Sequence, residues 1–303
     1  WDIATGQEIK IPTGYTRPIN YLALSPNGES CLIASNDNSL KLIELKGGKE
    51  IHYFKGHLNP IRQIAISPDG KMLVTCALND PAIKLWNLTN GNLVKTFKGH
   101  SKEIWSLAFS PDGQKFASGS ADQTVKIWDI SSGKELLTYS GHKKPNFLDY
   151  VYSVAFSPDG KSLVSGTYTI KLIDTKTGND KQTFIGHGMP CRWISFSSDG
   201  KSFYSTAADK TMKKWDIATG KEIKSIPIYA QPVVLLKDEK TAVTSFSDNG
   251  VYNEIKYIST SDGSLLMTFN GYHTTGHGRI NSLAVSPDGK TALSGSDDYT
   301  IKL

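Results

Sequence analysis

The stretch HTTGH places His273 and His277 at a spacing that two imidazoles can use to start a metal site. A stable site needs a third and fourth ligand, and no His, Cys or carboxylate stands beside the pair at a usual spacing. His57, His100, His142, His187 and His277 all follow a glycine in equivalent or near-equivalent places, and His52 lies in a strand-like segment. A histidine that recurs at one place serves the fold. The carboxylates behave in the same way: Asp69, Asp112, Asp159, Asp199 and Asp288 recur in one kind of turn. No serine sits in a G-x-S-x-G elbow, no glycine loop has the Walker pattern, and no cysteine is flanked as a nucleophile. The expectation is therefore no catalytic residue, no bound metal and no cofactor.

Composition narrows the class further. The chain has 303 residues, enough for one large all-β domain or two smaller ones. Its longest all-aliphatic run is Val233 to Leu236, far short of a membrane span. The N-terminus has no Met and no signal-peptide pattern, and the chain reads as a piece of something longer. Cys31, Cys76 and Cys191 match no metal or disulfide spacing and read as small buried apolar residues in a reducing compartment, so a cytoplasmic setting is expected. The net charge of +5 comes from scattered lysines rather than one basic block.

One turn organises the whole chain. SPNG occurs at Ser25, SPDG at Ser67, Ser110, Ser157 and Ser286, and SSDG at Ser197. The first five starts are 42, 43, 47 and 40 residues apart, and the last interval is 89, about two periods. An eroded copy falls near LKDEK, Leu236 to Lys240, which makes seven units. Each unit reads as four short strands, a to d. In one unit these are IWSLAF, KFASGS, TVKIWDI and ELLTY, separated by turn residues.

A period near 40 residues, with four strands, a Gly-His opening and a Trp-Asp close, resembles the WD-repeat β-propeller family. The carrying residues are Gly99-His100 with Trp128-Asp129, Gly56-His57 with Trp86-Asn87, and Gly186-His187 with Trp215-Asp216. The resemblance implies an all-β, seven-bladed propeller of four-stranded antiparallel blades. It also implies a polar network in each blade, running from Trp through a hydroxyl and a His to an Asp. His100, Ser118, Asp122 and Trp128 fit it, as do His187, Ser205, Asp209 and Trp215. His57, Thr75, Asp80 and Trp86 fit with one inserted residue. In the last unit Ser294 and Asp298 fit, with His277 or His273, but the tryptophan position falls one residue past the end. Trp1 belongs there, since WDIATGQEIK at the start nearly repeats WDIATGKEIK at Trp215 to Lys224. The expectation is one domain over residues 1–303, its last blade formed by 278–303 with 1–12. Continuation past Leu303 is the alternative. The first, fourth and sixth units carry Ile43, Ile173 and Ile258 for Trp, and the network is expected to be absent from them.

What breaks the repeat points to function. Two d–a loops are lengthened, at 143–150 and 272–279. In each blade the d–a loop and the b–c turn open at one end, where strand a begins. The residue after the first apolar position of strand a varies: Asn20, Arg62, Trp105, Tyr152, Arg192 and Asn281. With Phe147, Tyr150 and Arg279 these form the expected docking face, rich in the types that dominate interface hot spots. The expected role is a non-catalytic scaffold or sensing module, monomeric as a propeller, with no membrane contact. Its partner is a protein, a peptide or another domain of the same chain. The SPDGK turns resemble those of prokaryotic members, whose propellers are often appended to signalling domains. One alternative is nucleic-acid binding through Arg62, Arg192, Arg279, Lys143 and Lys144 with the aromatics. The other is an enzyme or a metal-dependent propeller.

Overall fold

The structure is a computed structural model that describes residues 3–4, 15–143, 149–228, 232–246, 254–269 and 278–302, with the side chain of Phe246 left aside. Among the described residues it is all-β: six four-stranded sheets and a seventh with three strands, each an antiparallel meander in chain order. These are the seven blades of the β-propeller fold class. The third blade has strands Ile104–Phe109, Lys115–Ser120, Val125–Asp129 and Glu135–Tyr139, within a residue of the sequence expectation.

The turns explain themselves chemically. In the third blade the Ser110 hydroxyl donates to Asp112 Oδ1 at 2.5 Å and accepts the Lys115 N–H at 3.0 Å, while Gly113 sits at φ 67°. A left-handed residue is where glycine belongs. The eroded copy is now placed: Leu236 N–H bonds the Thr241 carbonyl as Ser67 N–H bonds that of Met72, and Glu239 takes the glycine position at φ 56°.

The chain divides into two compact units. The second, Ala65–Asn87 with Leu93–Pro227, holds the third, fourth and fifth blades and strands b to d of the second. Its cores lie between adjoining sheets. Phe97 meets Phe116 edge-on with ring centroids 4.8 Å apart and Trp128 at 5.7 Å; Phe184 repeats this with Phe203 at 4.8 Å and Trp215 at 5.8 Å. Such pairs add about 0.5–1.5 kcal/mol beyond the area they bury. Adjoining blades also touch closely: a Cβ on Gly119 would lie 2.7 Å from Val151 Cγ1. Ser106 Oγ accepts the Val154 N–H of the next blade at 3.0 Å.

The first unit, Trp1–Ile64, Leu88–Asn92 and Ile228–Leu303, uses the same devices. Ser282 Oγ accepts the Leu22 N–H at 2.9 Å, and a Cβ on Gly295 would lie 2.6 Å from Ile19 Cγ2. Ile3 is buried against Leu236, Phe269, Ile280 and Ala292. Cys31, Cys76 and Cys191 are free thiols buried in these inter-blade cores, and burial pushes the Cys31 thiol up to about 12. No helix among the described residues is long and apolar enough to cross a membrane.

Candidate functional site

The polar networks come first because they fix the strand ends. In the third blade Trp128 Nε1–H donates to Ser118 Oγ at 2.8 Å, and the Ser118 hydroxyl donates to His100 Nε2 at 2.7 Å. His100 Nδ1–H then donates to Asp122 Oδ2 at 2.8 Å. The fifth blade repeats the chain through Trp215, Ser205, His187 and Asp209 at 2.7, 2.8 and 2.8 Å. Burial raises the Asp122 and Asp209 carboxyls, but the bonds from His100, Thr124, His187 and Thr211 outweigh it and hold both below the usual range. Burial also pushes His187 below its ordinary 6.5. In the second blade Trp86 Nε1–H donates to Thr75 Oγ1 at 2.9 Å, Asp80 accepts the Ala82 N–H at 2.9 Å, and His57 is buried. In the last blade Asp298 accepts the Thr300 N–H at 3.0 Å, and Ser294 is buried. Trp1, His273 and His277 lie outside the described residues.

The fourth blade corrects the expectation that its network is absent. Ile173 replaces the indole, yet the Ser165 hydroxyl still meets His142 Nε2 at 2.7 Å. The b–c turn lacks its aspartate, and the lengthened d–a loop supplies one instead: buried Asp149 accepts the Tyr168 N–H of that turn at 3.2 Å. The signal was an acid inside an insertion, which has no counterpart in the repeat.

The repeat also carries a pair that sequence reading passed over. A lysine on strand c meets an acid at the start of strand d: Lys41–Glu50 at 2.8 Å, Lys126–Glu135 at 2.7 Å, Lys171–Asp180 at 2.8 Å and Lys213–Glu222 at 2.6 Å. The signal was there, a Lys two residues before the Trp position with an acid opening strand d. Partly exposed pairs contribute about 0.2–1 kcal/mol each, so these tune the blades rather than hold them.

A β-bulge turns four of the expected docking residues out of the ladder between strands a and b. The pairing of strands a and b skips one residue: Ile104 pairs Ser120 and Ser106 pairs Gly119, passing Trp105. Asn20, Arg192 and Asn281 are skipped in the same way. The residue before each is fully buried, so the extra one turns away from the ladder.

In the second unit this builds one cluster across three adjoining blades. The Trp105 ring lies 5.1 Å from Tyr152 and 5.9 Å from Tyr150, and Tyr150 lies 5.9 Å from Tyr152. Exposed Arg192 holds its guanidinium carbon 6.0 Å from the Tyr152 ring centre. Lys143 is exposed at the same strand-a end of the fourth blade, and Phe147 and Lys144 lie outside the described residues.

The first unit uses its skipped residues differently. Asn281 Nδ2 donates to the Ile19 carbonyl at 3.0 Å and to Asp297 Oδ1 at 2.7 Å. Asn20 Nδ2 reaches the Ile61 carbonyl at 3.5 Å and Asn36 at 3.4 Å. Both carboxamides thus tie one blade to the next. Arg279 is exposed and Arg62 half-buried. No group of three or more metal-binding side chains occurs among the described residues.

The family model "WD domain, G-beta repeat" matches residues 6–44, 48–87, 91–129, 133–174, 178–216 and 263–303, leaving the first three strands of the eroded sixth blade between the last two. Pre-mRNA-processing factor 17 of Saccharomyces cerevisiae is 27% identical over 123 residues, covering 40% of this chain and 26% of that protein. The guanine nucleotide-binding protein subunit beta of Nicotiana tabacum is 26% identical over 146 residues, covering 45% and 37%. Nuclear distribution protein PAC1 of Arthroderma otae is 27% identical over 155 residues, covering 44% and 33%. The chain thus spans between 26% and 37% of the length of these relatives.

Proposed function

The chain belongs to the WD domain, G-beta repeat family, and on that premise we propose that it is a non-catalytic docking module for a partner protein or peptide. One observation carries the proposal. Trp105, Tyr150, Tyr152 and Arg192, from three successive blades, form a single contact patch at the strand-a end. Trp, Tyr and Arg are the anchors that dominate interface energies: the two aromatics cover much area with two rotors each, and the guanidinium adds a planar fork of donors. Bulges aim Trp105 and Arg192 out of their sheets at the cost of ladder bonds, a device that recurs at binding sites. By contrast, the His100–Asp122 and His187–Asp209 pairs are absorbed by blade networks. The names of the relatives support the class, since one is a subunit of a larger assembly. A cytoplasmic setting is part of the proposal, in keeping with three free buried thiols.

The test is affinity capture from native lysate with the chain and with a Trp105→Ala, Tyr152→Ala, Arg192→Glu variant of matched thermal stability. Proteins enriched on the first bait and lost on the second support the patch. Identical capture on both baits overturns it.

A further inference from the structure

We propose that the element docking on this patch is an acidic extended peptide, whose Asp or Glu carboxylates pair with Arg192 and the lysines around it. The inference rests on the docking reading above and adds the chemistry of the partner. Its first support is an imbalance of charge. The second unit carries 21 basic and 15 acidic residues, a net +6, while the first carries 13 and 14, a net −1. The chain's positive charge therefore belongs to the unit that holds the aromatic cluster.

The second support is how the charges at that end are used. The carboxylates there are engaged within the fold. Asp122 accepts His100 and the Ser101 N–H, and Asp209 accepts His187 and the Gly188 N–H. Glu103 accepts the Asn79 N–H at 3.2 Å, and Asp149 accepts that of Tyr168. Three of the cations there, Lys102, Lys143 and Arg192, are exposed and form no ion pair among the described residues, whereas Lys126, Lys171, Lys181 and Lys213 on the outer strands all do. Asp122, Asp149 and Asp209 are held inside the fold, so the charges this end offers most openly to solvent are those of Lys102, Lys143 and Arg192, and such cations orient a negative partner.

The ring geometry favours a peptide over a nucleic acid. Bases stack on open aromatic faces. Here Trp105 stands edge-to-face with Tyr152 at an interplanar angle of 74°, Tyr150 tilts 48° from Tyr152, and Trp105 and Tyr150 lie 31° apart. The Arg192 guanidinium lies over the Tyr152 ring. The rings make an amphipathic floor that suits aliphatic side chains between carboxylates. The exposed guanidinium beside the Tyr152 ring is free to make bidentate contact with a carboxylate.

The experiment displays random short peptides on phage, selects them on the full chain at low salt, and measures the selected peptides by fluorescence polarisation. The proposal expects sequences rich in Asp and Glu, whose affinity falls as salt rises. Arg192→Gln should weaken them roughly tenfold, the scale of one charge-assisted hydrogen bond. Arg192→Lys should recover part of that loss. Selected peptides that lose binding in Trp105→Ala but carry no acidic bias overturn the acidic partner and leave the docking patch standing. Selected peptides indifferent to both Trp105→Ala and Arg192→Gln overturn the patch as well. An oligothymidine or a phosphopeptide that binds at Arg192 while acidic peptides do not also overturns the proposal.

Discussion

The backbone N–H of Ile3 donates to the carbonyl of Lys290 at 2.7 Å, and the Ile3 side chain is 6% exposed against the core around Ala292. Residues near the start of the chain are thus packed on strands from near its end. We propose that residues 1–12 complete the last blade and so cover an open sheet edge. Ile3→Ala is expected to cost about 2–4 kcal/mol, as for other buried Ile truncations. Deletion of residues 1–12 should cost more. Thermal or urea unfolding checks both, and an unchanged midpoint in the deletion sinks the assignment.

Ser118 stands between an indole donor and an imidazole acceptor, both buried. Ser118→Ala removes one hydroxyl and strands two polar atoms, so about 2–4 kcal/mol of stability should be lost. Trp128→Phe removes the donor but leaves the Ser118–His100 bond, the state that the fourth blade adopts naturally with Ile173. If Trp128→Phe also retains most of the packing, it should cost less than Ser118→Ala. Equal losses would show that ring packing, not the hydrogen-bond chain, dominates the site.

Glu239 occupies a left-handed turn position that is glycine in the six other copies, all at φ between 66° and 74°. A side chain there carries a steric penalty of about 1–2 kcal/mol, partly offset by the greater freedom of glycine when unfolded. Glu239→Gly is therefore expected to raise stability by roughly 0.5–1 kcal/mol. A lower unfolding midpoint in this variant would mean that the Glu239 side chain contributes more than its backbone costs.

The repeat made most of the fold legible. Turn serines and glycines recur because each turn needs the same hydroxyl and the same left-handed residue, so six copies reinforce one reading and locate the eroded seventh. The network at Trp128 and Trp215 was legible for the same reason. Three features were not. The bulge beside Trp105 and Arg192 leaves no residue type as its mark, because any side chain can occupy the extra position. Asp149 acts from an insertion, where repeat spacing has no reach. Asn20 and Asn281 vary between blades as binding residues do, yet their carboxamides bond the neighbouring strand. Variation among copies marks freedom from the core, and a blade-to-blade tie satisfies that condition as well as a partner does.

His187 and Asp209 make acid a specific threat to the fifth blade. Burial lowers the folded pKa of His187 below 6.5, so as pH falls through 6.5 the unfolded chain binds the proton first. Stability is therefore present above that pH and declines below it, by at most about 1.4 kcal/mol per pH unit for one proton. Asp209 acts in the same direction further down. Its folded pKa lies below the ordinary 3.8, so its contribution is present above 3.8 and is lost as pH falls through its folded value. Urea unfolding on either side of 6.5 should show a lower midpoint on the acid side. His187→Gln should be less stable overall and should show a shallower decline across that window. A wild-type midpoint that holds or rises on acidification through 6.5 would mean that the Asp209 carboxylate compensates the imidazole fully, and that the folded histidine takes its proton as readily as the unfolded one.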